Sequence, residues 1–450
     1  MPTPLERLLE QYADRVATRR VLIARDATAR LPALLRELLP ATRALLFVAD
    51  TNTWDAAGPA TAGALAAAGY TLGSVIFEGG LGQDKIHPDE AYIERVEQRL
   101  RATDAVAVAV GAGTINDIAK MASFRVERPY AVVATAPSMN GWTSAIAAVV
   151  VGGLKSTLAA RGPVLVAADL GVLRDAPGRM IGAGYADMVA KWVAAADWRL
   201  SDVLLATGAQ PEVEEISRLA IDLLEGREEA IAQRDPQAIT QLMEALCISG
   251  LSMAVARSSS HISGAEHLFS HYIDMMIDEV SDRELHGRQV GIGTLCSAAL
   301  YEQLLEWSPE RLDLEARVLS QPAWADRAQA IAAQFGELAP VVLPQAQALH
   351  VEGEALRARL ERLVAEWPRL REELAAIAGP RAAIEERLRK AQAPIHFADL
   401  GLEESQVREI LTWARDIRGR YTILHLAAEL GCLEAWIEGA IGSFAETPVG

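Results

Sequence analysis

Cysteine is nearly absent from this chain. Cys247, Cys296 and Cys432 are its 3 thiols in 450 residues, far apart and with no CxxC pair. An odd, scattered count excludes a disulfide scaffold and a thiolate zinc knuckle, and it fits a reducing cytoplasm. Positive charge is also scarce, with 43 basic against 60 acidic residues and a net charge of −17. A nucleic-acid groove or an anionic membrane surface calls for the opposite sign, so neither is expected as a partner. Unbroken apolar runs of membrane-spanning length are missing too. The charge-free stretch 56–77 is interrupted by Pro59 and Gly69, and 129–154 by Pro137, Asn140 and Gly141. Each suits two short elements joined by a turn. The first residues read into a charged helix and are not expected to be a secretory signal. What remains is 51% hydrophobic and 23% charged, an ordinary globular composition long enough for two or three domains.

The first third alternates. Short apolar runs at 44–50, 72–78, 105–110 and 130–135 predict strands buried on both faces, hence a parallel sheet. Helical patterns at 53–68, 88–101 and 114–123 lie between them, the rhythm of an open α/β sheet. After about residue 173, amphipathic stretches such as 213–232 and 350–377 take over. The reading is α/β over residues 1–175 and all-helical over 176–450. The Ala/Glu/Arg-rich segment 356–389 is interrupted by Trp367, Pro368 and Pro380, so it predicts packed helices rather than a coiled coil.

Three constellations carry chemistry. Gly111 and Gly113 stand where a strand ends and a helix begins, a turn whose backbone N–H groups can meet a pyrophosphate. Thr114 is the expected cap of that helix. With Asn116 in place of a glycine the turn is not a full GxGxxG fingerprint, and an ordinary strand-to-helix turn is the other reading. Asp50 ends the first apolar run, either as an acceptor for an adenosine ribose, favouring NAD over NADP, or as a simple turn residue. His261, His267, His271 and His286 crowd one region. His267 and His271 share a helical face, His286 sits before a glycine turn, and Asp187 is the candidate carboxylate for a two-nitrogen, one-oxygen metal site. Satisfied core histidines are the alternative.

These segments together carry a resemblance. The run Gly111 to Lys120, the run Thr135-Ala136-Pro137-Ser138-Met139-Asn140-Gly141-Trp142-Thr143-Ser144, the run Gly184 to Lys191 followed by Asp197-Trp198, and the run Ser263 to His271 followed by His286-Gly287 and Gly291 to Thr294 resemble the sn-glycerol-1-phosphate dehydrogenase family. So does Arg418 to Leu424. The family belongs to the superfamily of iron-containing alcohol dehydrogenases, glycerol dehydrogenases and dehydroquinate synthases. The resemblance implies a Rossmann-like dinucleotide-binding domain, 1–175, and an all-helical metal-binding domain, 176–450, in a dehydroquinate-synthase-like fold.

It further implies that Asp187, His267 and His286 ligate one divalent metal, with zinc favoured over nickel or iron, and that His271 relays a proton near the substrate. Gly111, Gly113, Thr114 and Asp117 would hold NAD(H) or NADP(H), and Thr135, Ser138 and Ser144 would line the cofactor cleft. Lys155 matches a lysine near the cofactor or an anionic substrate group; an exposed hairpin lysine is its other reading. Lys155, Lys191 and Arg257 are candidate counter-charges for a substrate phosphate. The implied reaction is hydride exchange between a small polyol phosphate and its ketone, with a homo-oligomer, a dimer or larger, as the expected assembly. A carbocycle-forming lyase of the dehydroquinate-synthase kind, or a dehydrogenase for another polyol or ketone, is the alternative. The sequence departs from the family at two places. Asn140 stands where an Asp binds polyol hydroxyls, and Ala186 stands where Gly is usual before the metal-ligating Asp.

Overall fold

The computed structural model describes residues 2–79, 86–152 and 154–445. Chain order begins with α1 (Pro4–Gln11), β1 (Arg20–Ala24), α2 (Ala27–Leu38), β2 (Ala44–Asp50), α3 (Thr51–Ala67), β3 (Thr71–Phe77), α4 (Glu90–Arg101), β4 (Val106–Gly111), α5 (Gly113–Arg125) and β5 (Tyr130–Ala134). The hairpin β6 (Ile146–Val151) and β7 (Leu154–Ala159) follows, then β8 (Leu165–Asp169). The four runs are β2 to β5; β2, β4 and β5 are buried almost throughout, whereas β3 is the sheet edge and buries only Val75 and Phe77, so the expected burial on both faces does not hold for it.

Six parallel strands form one sheet in the order β1–β8–β5–β4–β2–β3, and β6–β7 pair antiparallel as a separate hairpin. Phe47, Val108, Val133 and Ala167 point to one face, where they pack with Leu31 and Leu35 of α2 and Ala57 and Leu65 of α3. Each large side chain so buried contributes about 1.5–3 kcal/mol. The connections set the functional end of this sheet. From β2 the chain moves outward to β3, then returns to the opposite side of β2 as β4. That reversal opens a crevice at the carboxyl ends of β2 and β4, which is where Asp50 and the Gly111 turn lie.

The rest is helical: α6 (Leu170–Asp175), α7 (Gly178–Val189), α8 (Lys191–Leu205), α9 (Pro211–Asp222), α10 (Glu228–Ala232), α11 (Pro236–Ala256), α12 (Ala265–Met276), α13 (Asp278–Ser281) and α14 (His286–Glu306). Then come α15 (Leu314–Ser320), α16 (Trp324–Phe335), α17 (Ala339–Gln347), α18 (Gly353–Ala378), α19 (Arg381–Lys390), α20 (Glu404–Trp413), α21 (Ile423–Glu429) and α22 (Leu433–Ala445). The stretch 213–232 is two helices, α9 and α10, with Gly226 between them at φ +68°. Segment 356–389 lies in α18 and α19, and α18 packs on α8, α14 and α15.

The chain forms two compact units. The first is Met1–Met188, Glu215–Ser259 and Lys390–Ala393; the second is Val189–Glu214, Ser260–Arg389 and Pro394–Gly450. Helix α11 is long and apolar enough to cross a membrane, yet 89% of its apolar window is buried inside the protein. It is a core helix of the first unit, beside α1, α6 and β1.

Candidate active site

In the first unit, β4 runs straight into α5. Gly111 and Gly113 are fixed by close approach: a Cβ on Gly111 would lie 2.5 Å from Cβ of Ile115, and one on Gly113 would lie 3.0 Å from Cγ of Met139. Thr114 is not the cap of this helix. Ala112 occupies the cap position, no side chain bonds the first turn, and Thr114 is already helical. With no Ser, Thr or Asp side chain folded over it, the helix start presents its backbone N–H groups as anion donors. Asp50 closes β2 and caps α3, accepting from the Thr53 N–H at 2.8 Å, while burial pushes its carboxyl up.

The sequence reading missed Lys120. It is fully buried, and its Nζ donates to Asp117 Oδ1 (3.2 Å), the Gly141 carbonyl (2.9 Å), Ser144 Oγ (3.0 Å) and the Ile146 carbonyl (2.9 Å). Asp117 also accepts from the Ala148 N–H at 3.3 Å. Burial pushes the Asp117 carboxyl up and the Lys120 ammonium down, and each opposes the other's shift. Asp117 and Ser144 therefore belong to one network that pins segment 141–148 to α5. The available signal was a charged pair three residues apart in an apolar helix.

Segment 135–144 is clamped from three further sides. The Thr135 N–H donates to the Gly111 carbonyl at 3.1 Å, and Ser138 is buried after Pro137. Thr143 Oγ1 donates to the Cys247 carbonyl on α11 at 2.6 Å. On α7, Asp187 is fully buried and held by Asn140, whose backbone N–H reaches Oδ2 at 2.9 Å and whose Nδ2 reaches Oδ1 at 3.0 Å. An aspartate at 140 would set a second carboxylate against Asp187; the amide donates instead. Ala186 is fully buried beside it. Lys155 sits half-buried on β7, where its charge reaches Asp117. Arg257 is exposed beyond α11.

In the second unit three histidines meet. Ring centroids of His267 and His286 lie 5.2 Å apart, those of His271 and His286 are stacked at 5.7 Å, and those of His267 and His271 lie 6.2 Å apart. Nδ1 of His267 is 2.7 Å from Glu266 Oε1, which also accepts from the Gly264 N–H at 2.7 Å. Nδ1 of His286 is 2.8 Å from Ser270 Oγ, and Ser270 donates onward to Gln289 Oε1 at 2.6 Å. Both networks put the proton on Nδ1 and make Nε2 the lone-pair nitrogen, the form that binds a metal. This donor chemistry fits a divalent ion. Among the described residues, no three His, Cys, Asp or Glu side chains converge closely enough to hold one.

His261 packs instead on Trp198, and burial with the charges of Lys191 and Arg420 pushes its pKa to about 3. Lys191 is buried and donates to the Ile262 carbonyl at 3.2 Å. Asp197 is a second residue the sequence did not single out. It accepts from Tyr301 OH (2.6 Å), the Ile423 N–H (2.7 Å) and the Ala265 N–H (2.7 Å), so it ties the start of the histidine helix α12 to α14 and α21. Burial and the neighbouring Glu266 push its pKa up to about 7 against those three bonds.

Known proteins share both the sequence and the fold. Residues 22–177 match the model of the iron-containing alcohol dehydrogenase family. A glycerol-1-phosphate dehydrogenase [NAD(P)+] of Bacillus licheniformis is 32% identical over 73% of this chain and 69% of its own. The same-named enzyme of Geobacillus stearothermophilus is 33% identical over 71% of this chain and 78% of its own. Among solved structures, a glycerol dehydrogenase from Schizosaccharomyces pombe aligns with TM-score 0.61 and 16% identity, covering 96% of this chain and 92% of that one. A probable glycerol dehydrogenase from Sinorhizobium meliloti aligns with TM-score 0.59 and 19% identity, covering 94% and 98%.

Proposed function

Because this chain belongs to the glycerol-1-phosphate dehydrogenase family of iron-containing alcohol dehydrogenases, we propose that it is an NAD(P)(H)-linked, metal-containing oxidoreductase that interconverts a small polyol phosphate and its ketone. Glycerol 1-phosphate and dihydroxyacetone phosphate are the type pair. The observation that carries this reading is the His267–His286 pair, each ring held through Nδ1 by its own partner, Glu266 or Ser270. The relatives give the carbocycle-forming alternative no support.

In this reading Asp187, His267 and His286 are the metal ligands, and zinc is the favoured ion. A divalent ion there supplies Lewis-acid polarisation of the ketone oxygen, and bound nicotinamide supplies the hydride. The chain's own residues do the rest. Gly111, Gly113 and Thr114 give backbone N–H groups to the dinucleotide phosphates. Asp50 keeps one oxygen on its helix cap and offers the other to a ribose hydroxyl, which favours NAD. Thr135 and Ser138 form the cofactor wall, while Asp117 and Ser144 hold its shape through Lys120. Asn140 aims the Asp187 carboxylate, His271 passes the proton to or from the substrate oxygen, and Lys155 meets a phosphate. A cytoplasmic homo-oligomer without nucleic-acid or membrane partners completes the proposal, in line with the acidic composition.

The direct test follows NADH oxidation by zinc-, nickel- and iron-loaded protein. Dihydroxyacetone phosphate is expected to be turned over with kcat/KM at least about tenfold above unphosphorylated dihydroxyacetone, because a phosphate adds charge-assisted hydrogen bonds. No turnover of the phosphorylated ketone with any of the three ions would end this assignment.

A further inference from the structure

The second unit also contains a cavity of about 440 Å³, lined by residues of α15, α16, the turn from α17 to α18, and the segment 412–434. None of them is a residue of the site proposed above. Arg317, Arg327 and Arg415 face this cavity, and Arg359 stands behind it against the ring of Tyr421. Two carboxylates answer these four cations within the cluster. Asp416 is bonded by Arg327, and Glu429 is bonded by Arg359 and by Tyr421 OH. Glu434 lines the cavity from an exposed position.

Arg317 and Arg415 are reached by these carboxylates through space, Glu429 acting on both and Asp416 on Arg415, but neither is bonded by one. Arg317 donates to the carbonyls of Ala428 and Glu429, each at 2.8 Å, to Ser320 Oγ at 3.0 Å, and to the Gln321 side chain. No carboxylate among the described residues bonds it. The Nε of Arg415 is shut off from solvent and meets no acceptor. Burial, opposed by Asp416 and Glu429 and reinforced by Arg327 and Arg317, lowers the Arg415 pKa to about 10, so it still carries its charge at neutral pH. His425 adds no charge to the wall. Its Nδ1 accepts from the Thr422 N–H at 3.2 Å, and burial beside Arg415, Arg359 and Arg327 keeps the ring neutral.

A buried guanidinium N–H without an acceptor is costly, and so is an uncompensated excess of buried cations. We propose that this cavity binds a small dianion, inorganic phosphate or a phosphate monoester, between Arg415 and Arg317. A phosphate brings about −1.5 to −2 of charge at pH 7 and three strong acceptor oxygens, which offset the excess of four guanidinium groups over two bonded carboxylates.

Titration calorimetry with inorganic phosphate on the full-length, zinc-loaded protein saturated with NADH tests this. Wild type is expected to bind two phosphates per chain, one at the substrate position and one here. Arg415→Gln is expected to bind one. Ser320→Glu, at an exposed position beside Arg317, places a resident carboxylate at the cavity and is expected to weaken the second site at least tenfold. Helix content by circular dichroism in phosphate-free buffer checks that both variants are folded. Wild-type stoichiometry and affinity in Ser320→Glu, or in a folded Arg415→Gln, would overturn the proposal. So would a single phosphate per wild-type chain that survives both substitutions.

Discussion

Glu266 acts on the proposed metal site through His267, without being one of its proposed ligands. Its Oε1 receives both the Gly264 N–H and the Nδ1 proton of His267, so one carboxylate fixes the entry to α12 and the orientation of the first ring on it. A carboxylate behind a histidine also makes the far nitrogen a better donor. Glu266→Gln retains an acceptor but removes the charge. Its zinc affinity, measured by competition with a chelating dye, is expected to fall about 10- to 100-fold while the helix content stays constant. Wild-type affinity in that variant would show that Glu266 only caps the chain entry. Ser270 plays the corresponding part for His286 through a neutral hydroxyl. Neither Glu266 nor Ser270 was legible as a site residue. Adjacent and i+3 positions next to a ligand carry no metal-ligand spacing, whereas His267 and His271 at i and i+4 do.

At the scale of elements, β2, β4 and β5 were legible because each is a continuous apolar run, and a strand buried on both faces must be one; β3 was read with them although it is the sheet edge and carries Thr71, Gly73 and Ser74. β1 and β8 escaped because polar residues cut their apolar runs short: Arg20 opens the first and Asp169 closes the second. The start of α5 was misread for a local reason. Thr114 is a good capping residue, but the turn between Gly111 and Gly113 places the cap two positions earlier, at Ala112. Packing glycines were visible as letters but not as contacts. On α7, a Cβ at Gly184 would fall 1.8 Å from the Pro137 carbonyl oxygen, so that helix touches backbone where it passes the segment leading to Asn140. Gly184→Ala must push the two apart. Overpacking of this kind typically costs about 1–3 kcal/mol, and the contact here is with rigid backbone, so the upper end is expected. Urea unfolding of the variant measures it; a loss below about 0.5 kcal/mol would mean that α7 gives way freely.

On the scale of the whole molecule, the sequence placed the chemistry in two stretches of chain, and the two compact units hold different parts of it. The turn of Gly111 and Gly113, Asp50 and the Lys120 network all belong to the first unit, while the three histidines belong to the second. The crevice between β2 and β4 is created by strand order alone, so its capacity to hold a dinucleotide rests on the sheet and the start of α5 rather than on the histidine networks. It follows that NADH binding survives removal of the metal. A ligand at a hundredfold excess over its Kd stabilises the state that binds it by about 2.7 kcal/mol. Urea unfolding with NADH at that excess is therefore expected to show the same gain in zinc-loaded protein and in protein stripped by a chelator, with the NADH Kd changed by less than about threefold. Stabilisation confined to the loaded protein would mean that the dinucleotide is held through the metal site, and the assignment of the phosphates to the Gly111–Gly113 turn would fall with it.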